Sequence, residues 1–171
     1  MAKHGFLHYE ISIFCKPGMH SRHNASYWFG TPYAGFGPSA HSYDGVSRQW
    51  NVPSLEQYVE AWSLDNDSED KRTPKGFPFS NLVYAERTPG EGETLTPEQQ
   101  YDEYVMLRLR TMWGIDLKYL KREMGERFST HCEQKAQPLV AQGRLSQTRE
   151  FLYLTDEQML FADGIAEALF W

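Results

Sequence analysis

The residues best suited to chemistry form a short block, His23-Asn24-Ala25-Ser26-Tyr27-Trp28, which sets one imidazole among aromatic side chains. An imidazole nitrogen is a common ligand of haem iron, and aromatic rings stack well on a flat porphyrin. His23 is therefore a candidate metal ligand, with Asn24, Tyr27 and Trp28 as candidate contacts to a cofactor. The other interpretation stays open: the two aromatic residues fill a core and His23 bonds a loop carbonyl.

A second candidate segment runs from Gly30 to Ser42 and is rich in glycine. Gly35 and Gly37 permit a close backbone approach that a side chain would block, so the stretch through Ala40 and His41 is a candidate wall for a cofactor's edge. The segment differs from the G-x-G-x-x-G fingerprint and lacks the P-loop lysine, which argues against a nucleotide phosphate. A structural turn is the alternative.

Alternation of polar and apolar residues from His8 to Phe14 predicts one strand. Such a strand places Glu10 and Ser12 on the same face, toward either a cavity or solvent, and the sequence does not choose between them. The remaining histidines have no partner at ligand spacing and are interpreted as structural or exposed; they are His4, His8, His20 and His131.

The elements that must position these residues change character along the chain. In the first half we expect a structured loop over 21–38, strands over 39–43 and 48–52, a helix over 53–62 capped by Ser54, and a polar surface loop over 64–75. In the second half, Thr96-Pro97-Glu98-Gln99 predicts a helix start, with helices reaching Gly114, Gly125 and Gly143 in turn. Two strands over 144–147 and 151–154 follow. The closing helix carries Phe161, Ile165, Ala168 and Leu169 on one face.

Composition excludes several classes of protein. The 171 residues are 40% hydrophobic and 15% aromatic, which is too rich in core material for general disorder. A net charge of -6 argues against a broad nucleic-acid surface, so we expect no nucleic-acid partner. No apolar run has the length of a membrane span and no signal peptide is evident, which predicts a cytoplasmic protein.

The two cysteines, Cys15 and Cys132, are far apart and lack CxxC spacing. An iron–sulfur cluster needs about three or four thiolates, so the chain cannot hold one by itself. We expect two reduced thiols. Because strand-like sequence begins within a few residues of Met1, we also expect the chain to be a truncated piece of a larger protein.

Three ordered motifs resemble a known family: His8-Tyr9-Glu10-Ile11-Ser12, the block from Ser21 to Trp28, and Tyr33-x-Gly35-x-Gly37-x-x-Ala40-His41-Ser42. They are similar to the oxygen-independent coproporphyrinogen III oxidases, and within them to the haem-chaperone branch. The stretch from Leu107 to Leu117 resembles the start of that family's C-terminal domain. One departure is Ile13, where the family usually has Asn after Glu-Ile-Ser.

The resemblance implies an α+β or α/β fragment: the last strands of a partial TIM-like barrel in residues 1–64, a connecting arm in 65–95, and a helical, winged-helix-like domain in 96–171. It implies that S-adenosylmethionine and a four-iron–four-sulfur cluster are bound mainly by an N-terminal region whose CxxxCxxC motif is absent here. The strand around His41 would form a wall of the S-adenosylmethionine pocket, together with Gly35, Gly37 and Ala40. His23 would ligate haem iron.

The leading hypothesis is therefore a part of a radical S-adenosylmethionine protein of porphyrin or haem metabolism, catalytically inactive without its N-terminal region. Whether the parent is an oxidase or a haem chaperone stays open, as does the oligomeric state. Two alternatives are a winged-helix nucleic-acid-binding regulator and a haem-binding scaffold with no enzymatic parent. The acidic residues Asp163 and Glu167 of the last helix disfavour the regulator.

Overall fold

A computed structural model describes residues 2–63 and 90–171. Its contacts divide the chain into two compact units, one of residues 1–30 with 96–171 and one of residues 31–95. The predicted domains, 1–64, 65–95 and 96–171, concern the family's architecture and stay a prediction. The polar loop expected over 64–75 lies outside the described residues.

The first unit begins with a β-hairpin. Strand β1 (Leu7–Glu10) pairs antiparallel with β2 (Ile13–Cys15), and the register shifts at Glu10. The prediction of one continuous strand over 8–14 is therefore wrong. Alternation alone cannot reveal the turn at Ile11 and Ser12, because the turn is stabilised by a side chain: the Glu10 carboxylate accepts hydrogen bonds from both the backbone N–H and the hydroxyl of Ser12.

A short helix, α1 (Arg22–Trp28), follows where a loop was expected. The Ser21 side chain caps it by accepting the backbone N–H of Asn24 at 3.2 Å. The prediction of a loop over 21–38 is wrong for this stretch. Seven residues span two turns, and none of them is fully buried, so the helix leaves no apolar period in the sequence.

The predicted capped helix is confirmed as α3 (Pro97–Leu109), with a complete capping box between Thr96 and Gln99. It ends before the expected stop at Gly114. A helix expected over 115–124 begins two residues late, because β6 (Ile115–Asp116) pairs with a later strand. A single α-helical turn, α4 (Leu117–Tyr119), then continues as a π-helix over Leu120–Met124.

The long helix α5 (Glu126–Ala141) is followed by two strands that complete a small sheet with β6. β7 (Ser146–Gln147) and β8 (Phe151–Tyr153) fall within the predicted ranges, and the strand order is β6-β8-β7. A 3₁₀ turn (Gln158–Phe161) precedes α6 (Ala162–Glu167).

The last helix buries only part of the face expected for it. Ile165 and Leu169 are buried as predicted, whereas Phe161 is 64% exposed and Ala168 is also exposed. Phe161 ends the 3₁₀ turn, and the change of helix type breaks the 3.6-residue period on which the prediction relied.

One hydrophobic core holds this unit together, drawn from α3, α5, α6 and the sheet. Its fully buried large side chains include Tyr101, Val105, Leu109, Ile115, Leu120, Phe128, Leu145, Leu152, Met159, Ile165 and Leu169. The β1–β2 hairpin joins it through backbone hydrogen bonds, from Ile11 N to Arg110 O and from Met112 N to Tyr9 O. The hairpin is thereby fixed to the end of α3.

The second unit contains an antiparallel sheet in the order β3-β4-β5. β3 (His41–Tyr43) and β4 (Ser47–Asn51) confirm the two strands expected here. β5 (Gly90–Thr94) lies where only a connecting arm was expected, and it pairs with all of β4. The helix α2 (Leu55–Ser63) is capped by Ser54, as predicted. In the described residues, no helix is both long and apolar enough to cross a membrane.

Candidate functional site

A cleft of about 330 Å³ lies between the β1–β2 hairpin and α1. This volume is at the lower end of the range for small-molecule sites, roughly 300–1,000 Å³. Six residues line the cleft: Glu10, Ser12, Ile13, Asn24, Tyr27 and Trp28. The structure thus joins two segments that the sequence presented as separate candidates.

The four residues of the predicted haem-binding block all lie on α1. Residues four apart on a helix lie on the same side, so the block forms two side-by-side pairs. His23 and Tyr27 form one such pair, with ring centroids 5.1 Å apart and planes at 80°. Asn24 and Trp28 form the neighbouring pair and line the cleft. The imidazole of His23 is exposed and lies outside the cleft lining.

The Nε2 atom of His23 lies 3.4 Å from the hydroxyl oxygen of Tyr27. This is a long distance for a hydrogen bond involving a hydroxyl group. The exposed His23 ring can give up this weak contact with Tyr27 when a stronger partner binds its Nε2 atom. The imidazole is therefore available to a metal or a hydrogen-bonding partner from solution.

Glu10 is the most deeply buried polar group of the cleft, at 2% exposure. Its Oε2 atom accepts the Ser12 backbone N–H at 3.2 Å and the Ser12 hydroxyl at 3.0 Å. The sequence left open whether this carboxylate faces a cavity or solvent. The structure places it at the cleft, held in position by Ser12.

The second predicted segment, in the other unit, uses its glycines against its own backbone. A Cβ atom added at Gly35 would overlap the carbonyl oxygen of His41. Gly37 has φ +99°, its N–H donates to the Tyr58 hydroxyl at 3.0 Å, and its carbonyl accepts the Asn51 side-chain amide at 2.9 Å. These contacts support the alternative interpretation, in which both glycines serve a structural turn.

Ala40 and His41 continue from that turn into β3. The Ala40 carbonyl accepts the Asn51 N–H at 3.0 Å, and the exposed His41 ring lies 5.8 Å from that of Trp50. The structure therefore brings Gly35, Gly37, Ala40 and His41 together in one folded segment. Their assignment to an S-adenosylmethionine pocket stays a prediction.

The remaining histidines in the described residues are packed or exposed, as the sequence suggested. His8 stacks on Phe14 at 4.3 Å, and His20 packs against Tyr9 and Trp113. His131 lies 2.9 Å from the Phe170 carbonyl oxygen through its Nε2 atom. The His4 side chain is exposed.

The two cysteines do not suit an iron–sulfur cluster. Cys15 and Cys132 are both buried and free, and burial raises the pKa of the Cys132 thiol to about 11. Cluster ligands must be thiolates, which burial in apolar surroundings disfavours. Over residues 2–63 and 90–171, no group of three or more His, Cys, Asp or Glu residues is arranged to hold a metal ion.

Sequence reasoning missed the participation of Ile13 in the cleft and treated it only as a departure from the family pattern. It also missed Arg108, which is 8% exposed, donates from Nε to the Gly114 carbonyl at 2.8 Å and packs over the Phe29 ring. An arginine next to apolar residues at the end of α3 was the available signal. Its contacts support the fold of the segment that carries α1.

Comparison with known proteins bears on the whole chain. Residues 95–161 match the HemN C-terminal domain family. The chain is 30% identical over 165 residues to the heme chaperone HemW of Bacillus subtilis, covering 96% of this chain and 38% of the relative. Identity to the HemW of Mycobacterium tuberculosis H37Rv is 31% over 166 residues, covering 96% and 35%.

The fold is similar to that of a solved protein, the coproporphyrinogen III oxidase HemN from Escherichia coli, described as a radical SAM enzyme. The TM-score is 0.63 at 15% identity, over 98% of this chain and 38% of that one. The chain thus spans less than two fifths of the length of these relatives. The predicted resemblance is confirmed: residues 95–161 match the HemN C-terminal domain family, and nearly the whole chain is similar to part of the heme chaperone HemW.

Proposed function

We propose that this chain is the haem-contacting, C-terminal portion of a HemW-like radical S-adenosylmethionine protein, with His23 as the ligand of haem iron. One observation carries the proposal: α1 presents an exposed imidazole in contact with the Tyr27 ring, and Trp28 is the next residue on the same helix. A porphyrin can lie against such rings while its iron takes the imidazole nitrogen. The name of the relatives, heme chaperone, agrees with this role.

Titration of the 171-residue chain with hemin tests the proposal. We expect a shifted Soret band in the wild-type chain and at least about a tenfold loss of affinity in His23→Ala, because an axial ligand is worth more than one ordinary hydrogen bond. His4→Ala is the matched control, since His4 is another exposed histidine of the same unit. Equal binding by the wild-type and His23→Ala chains would refute the assignment.

We further propose that the parent protein binds S-adenosylmethionine and a four-iron–four-sulfur cluster through its N-terminal region. The similar solved protein is described as a radical SAM enzyme, which supports this, and neither buried cysteine of this chain suits the cluster. In such a parent, β1–β4 would belong to the end of a partial barrel. Gly35, Gly37, Ala40 and His41 would lie at the wall of the S-adenosylmethionine pocket.

Residues 96–171 are proposed to form the winged-helix-like module, since helices α3 and α5 pack with a small three-stranded sheet. The nucleic-acid alternative has little basic surface on α5, which carries two residues of the Lys and Arg type, Arg127 and Lys135. Its Arg127 donates to Glu98 at 2.7 Å and packs over Phe128, so this charge is already engaged within the unit. A packing role fits these contacts better than phosphate binding.

A further inference from the structure

We propose that the cleft between the β1–β2 hairpin and α1 is a binding site for a small ligand that carries a protonated amine next to a flat ring, with Glu10 as the group that receives the amine. This goes beyond the proposed haem function, because His23 lies outside the cleft lining. The two proposals share helix α1 with its Tyr27 and Trp28 rings, and they differ in the polar group that they use, His23 for haem and Glu10 for the amine.

The burial of Glu10 is the first observation that supports an amine site in the cleft. At 2% exposure, a carboxylate is costly to keep unless it is paired or fully hydrogen-bonded. Both bonds to Ser12 fall on one oxygen, Oε2. Oε1 is not among the buried side-chain atoms that lack a partner in the described residues, so this oxygen is accessible in the cleft that the side chain lines. A donor from the ligand would complete this group.

The charge of the cleft is the second step. Of the six lining residues, Glu10 is the one acidic residue, and none of the six is a lysine, arginine or histidine. A carboxylate or phosphate on a ligand would be repelled there. A protonated amine would gain a charge-assisted hydrogen bond, which is roughly twice as strong as a neutral one.

The aromatic wall is the third step. Tyr27 and Trp28 line the same cleft, and Asn24 adds an amide that can donate or accept. Tyr and Trp stack on flat rings and attract cations through their π faces. A carboxylate beside two such rings is suited to a ligand that combines a ring with a cationic nitrogen.

Two probes with the same ring and opposite charge test the site: tryptamine, a protonated amine, and indole-3-propionate, a carboxylate. Each is titrated into the 171-residue chain while the amide of Ser12 and the indole N–H of Trp28 are followed by NMR. We expect tryptamine to shift both signals and to bind at least about tenfold more tightly than indole-3-propionate. Equal affinities, or no shift at Ser12 with tryptamine, would overturn the proposal.

Glu10→Gln removes the charge while its amide oxygen can still accept from Ser12. We expect this variant to lose at least about tenfold in tryptamine affinity. Glu167→Gln, the same change at an exposed carboxylate of α6, should bind as the wild type does. Undiminished binding by Glu10→Gln would refute the role of the carboxylate, and the wild-type probe comparison decides the site independently of how that variant folds.

His23→Ala separates this proposal from the haem proposal. We expect it to bind tryptamine as the wild-type chain does, whatever its effect on hemin. If His23→Ala abolishes tryptamine binding, the cleft is not a separate site and the inference fails. Failure of hemin binding alone would leave the result for the cleft standing.

Discussion

Two kinds of steric constraint act on Gly114, at the connection between α3 and β6. Its φ is +67°, in the left-handed region that side chains rarely adopt. A Cβ atom there would also overlap the Leu152 carbonyl oxygen and lie 2.7 Å from the Tyr153 Cβ. The second constraint comes from β8, so it depends on the packing of the sheet and not on the turn alone.

Gly143 provides a matched comparison, with φ +69° and no atom within 4 Å of an added Cβ. We expect Gly143→Ala to lower the free energy of unfolding by about 1–2 kcal/mol from the backbone conformation. Gly114→Ala should cost about 1–3 kcal/mol more because of the overlap with β8. Urea unfolding of both variants measures this difference. Equal losses of unfolding free energy would show that β8 moves away from the added Cβ at no cost.

Among the elements, α3 has the start most clearly defined by local residues. Thr96 accepts the Gln99 backbone N–H at 3.2 Å, and the Gln99 side chain accepts the Thr96 N–H at 2.8 Å. Pro97 follows at a position where its missing N–H costs nothing. These bonds satisfy donors that the helix itself cannot pair.

We expect Thr96→Ala to reduce the free energy of unfolding by about 1 kcal/mol, as for other lost N-caps. Thr130→Ala makes the same chemical change at an exposed position inside α5 and should be neutral or slightly stabilising, because Ala has the higher helix propensity. The midpoint of urea unfolding distinguishes the two. A loss of equal size in both variants would contradict the capping role.

For the molecule as a whole, the number and burial of the cysteines limit what the chain can do. We expect that anaerobic incubation with iron and sulfide yields far less than one four-iron–four-sulfur cluster per chain, since two buried thiols cannot supply about three or four thiolates. Iron and acid-labile sulfide analysis measures the yield. A double variant, Cys15→Ala with Cys132→Ala, sets the background, and stoichiometric cluster in the wild-type chain would contradict the expectation.

Local signals in the sequence were enough for several elements. The capping residues Thr96 and Ser54 and the glycines Gly125 and Gly143 marked helix ends, because their preferences arise from nearby backbone groups. The strands β3 and β4 also lie close to the strands predicted over 39–43 and 48–52, on either side of the turn at Asp44 and Gly45. The motif that resembles the HemN family likewise depends only on residue order, and the comparisons confirm it.

Other features were decided by contacts between distant residues. β5 owes its strand form to pairing with β4, and Ile115 forms a strand because β8 lies beside it. The helix α1 was missed because it is too short to show a period. In each case the local sequence permits more than one conformation, and tertiary pairing selects among them.

By itself, the sequence determined the resemblance to HemN and HemW, several of the helix ends and the residues worth examining for haem binding, since each follows from local chemistry or residue order. The tertiary structure alone decided that Glu10 is buried and that Ser12 holds it beside Asn24 and Trp28. The physical reason is that burial and the shape of a cleft arise when separate segments pack together, and a single segment does not encode its neighbours.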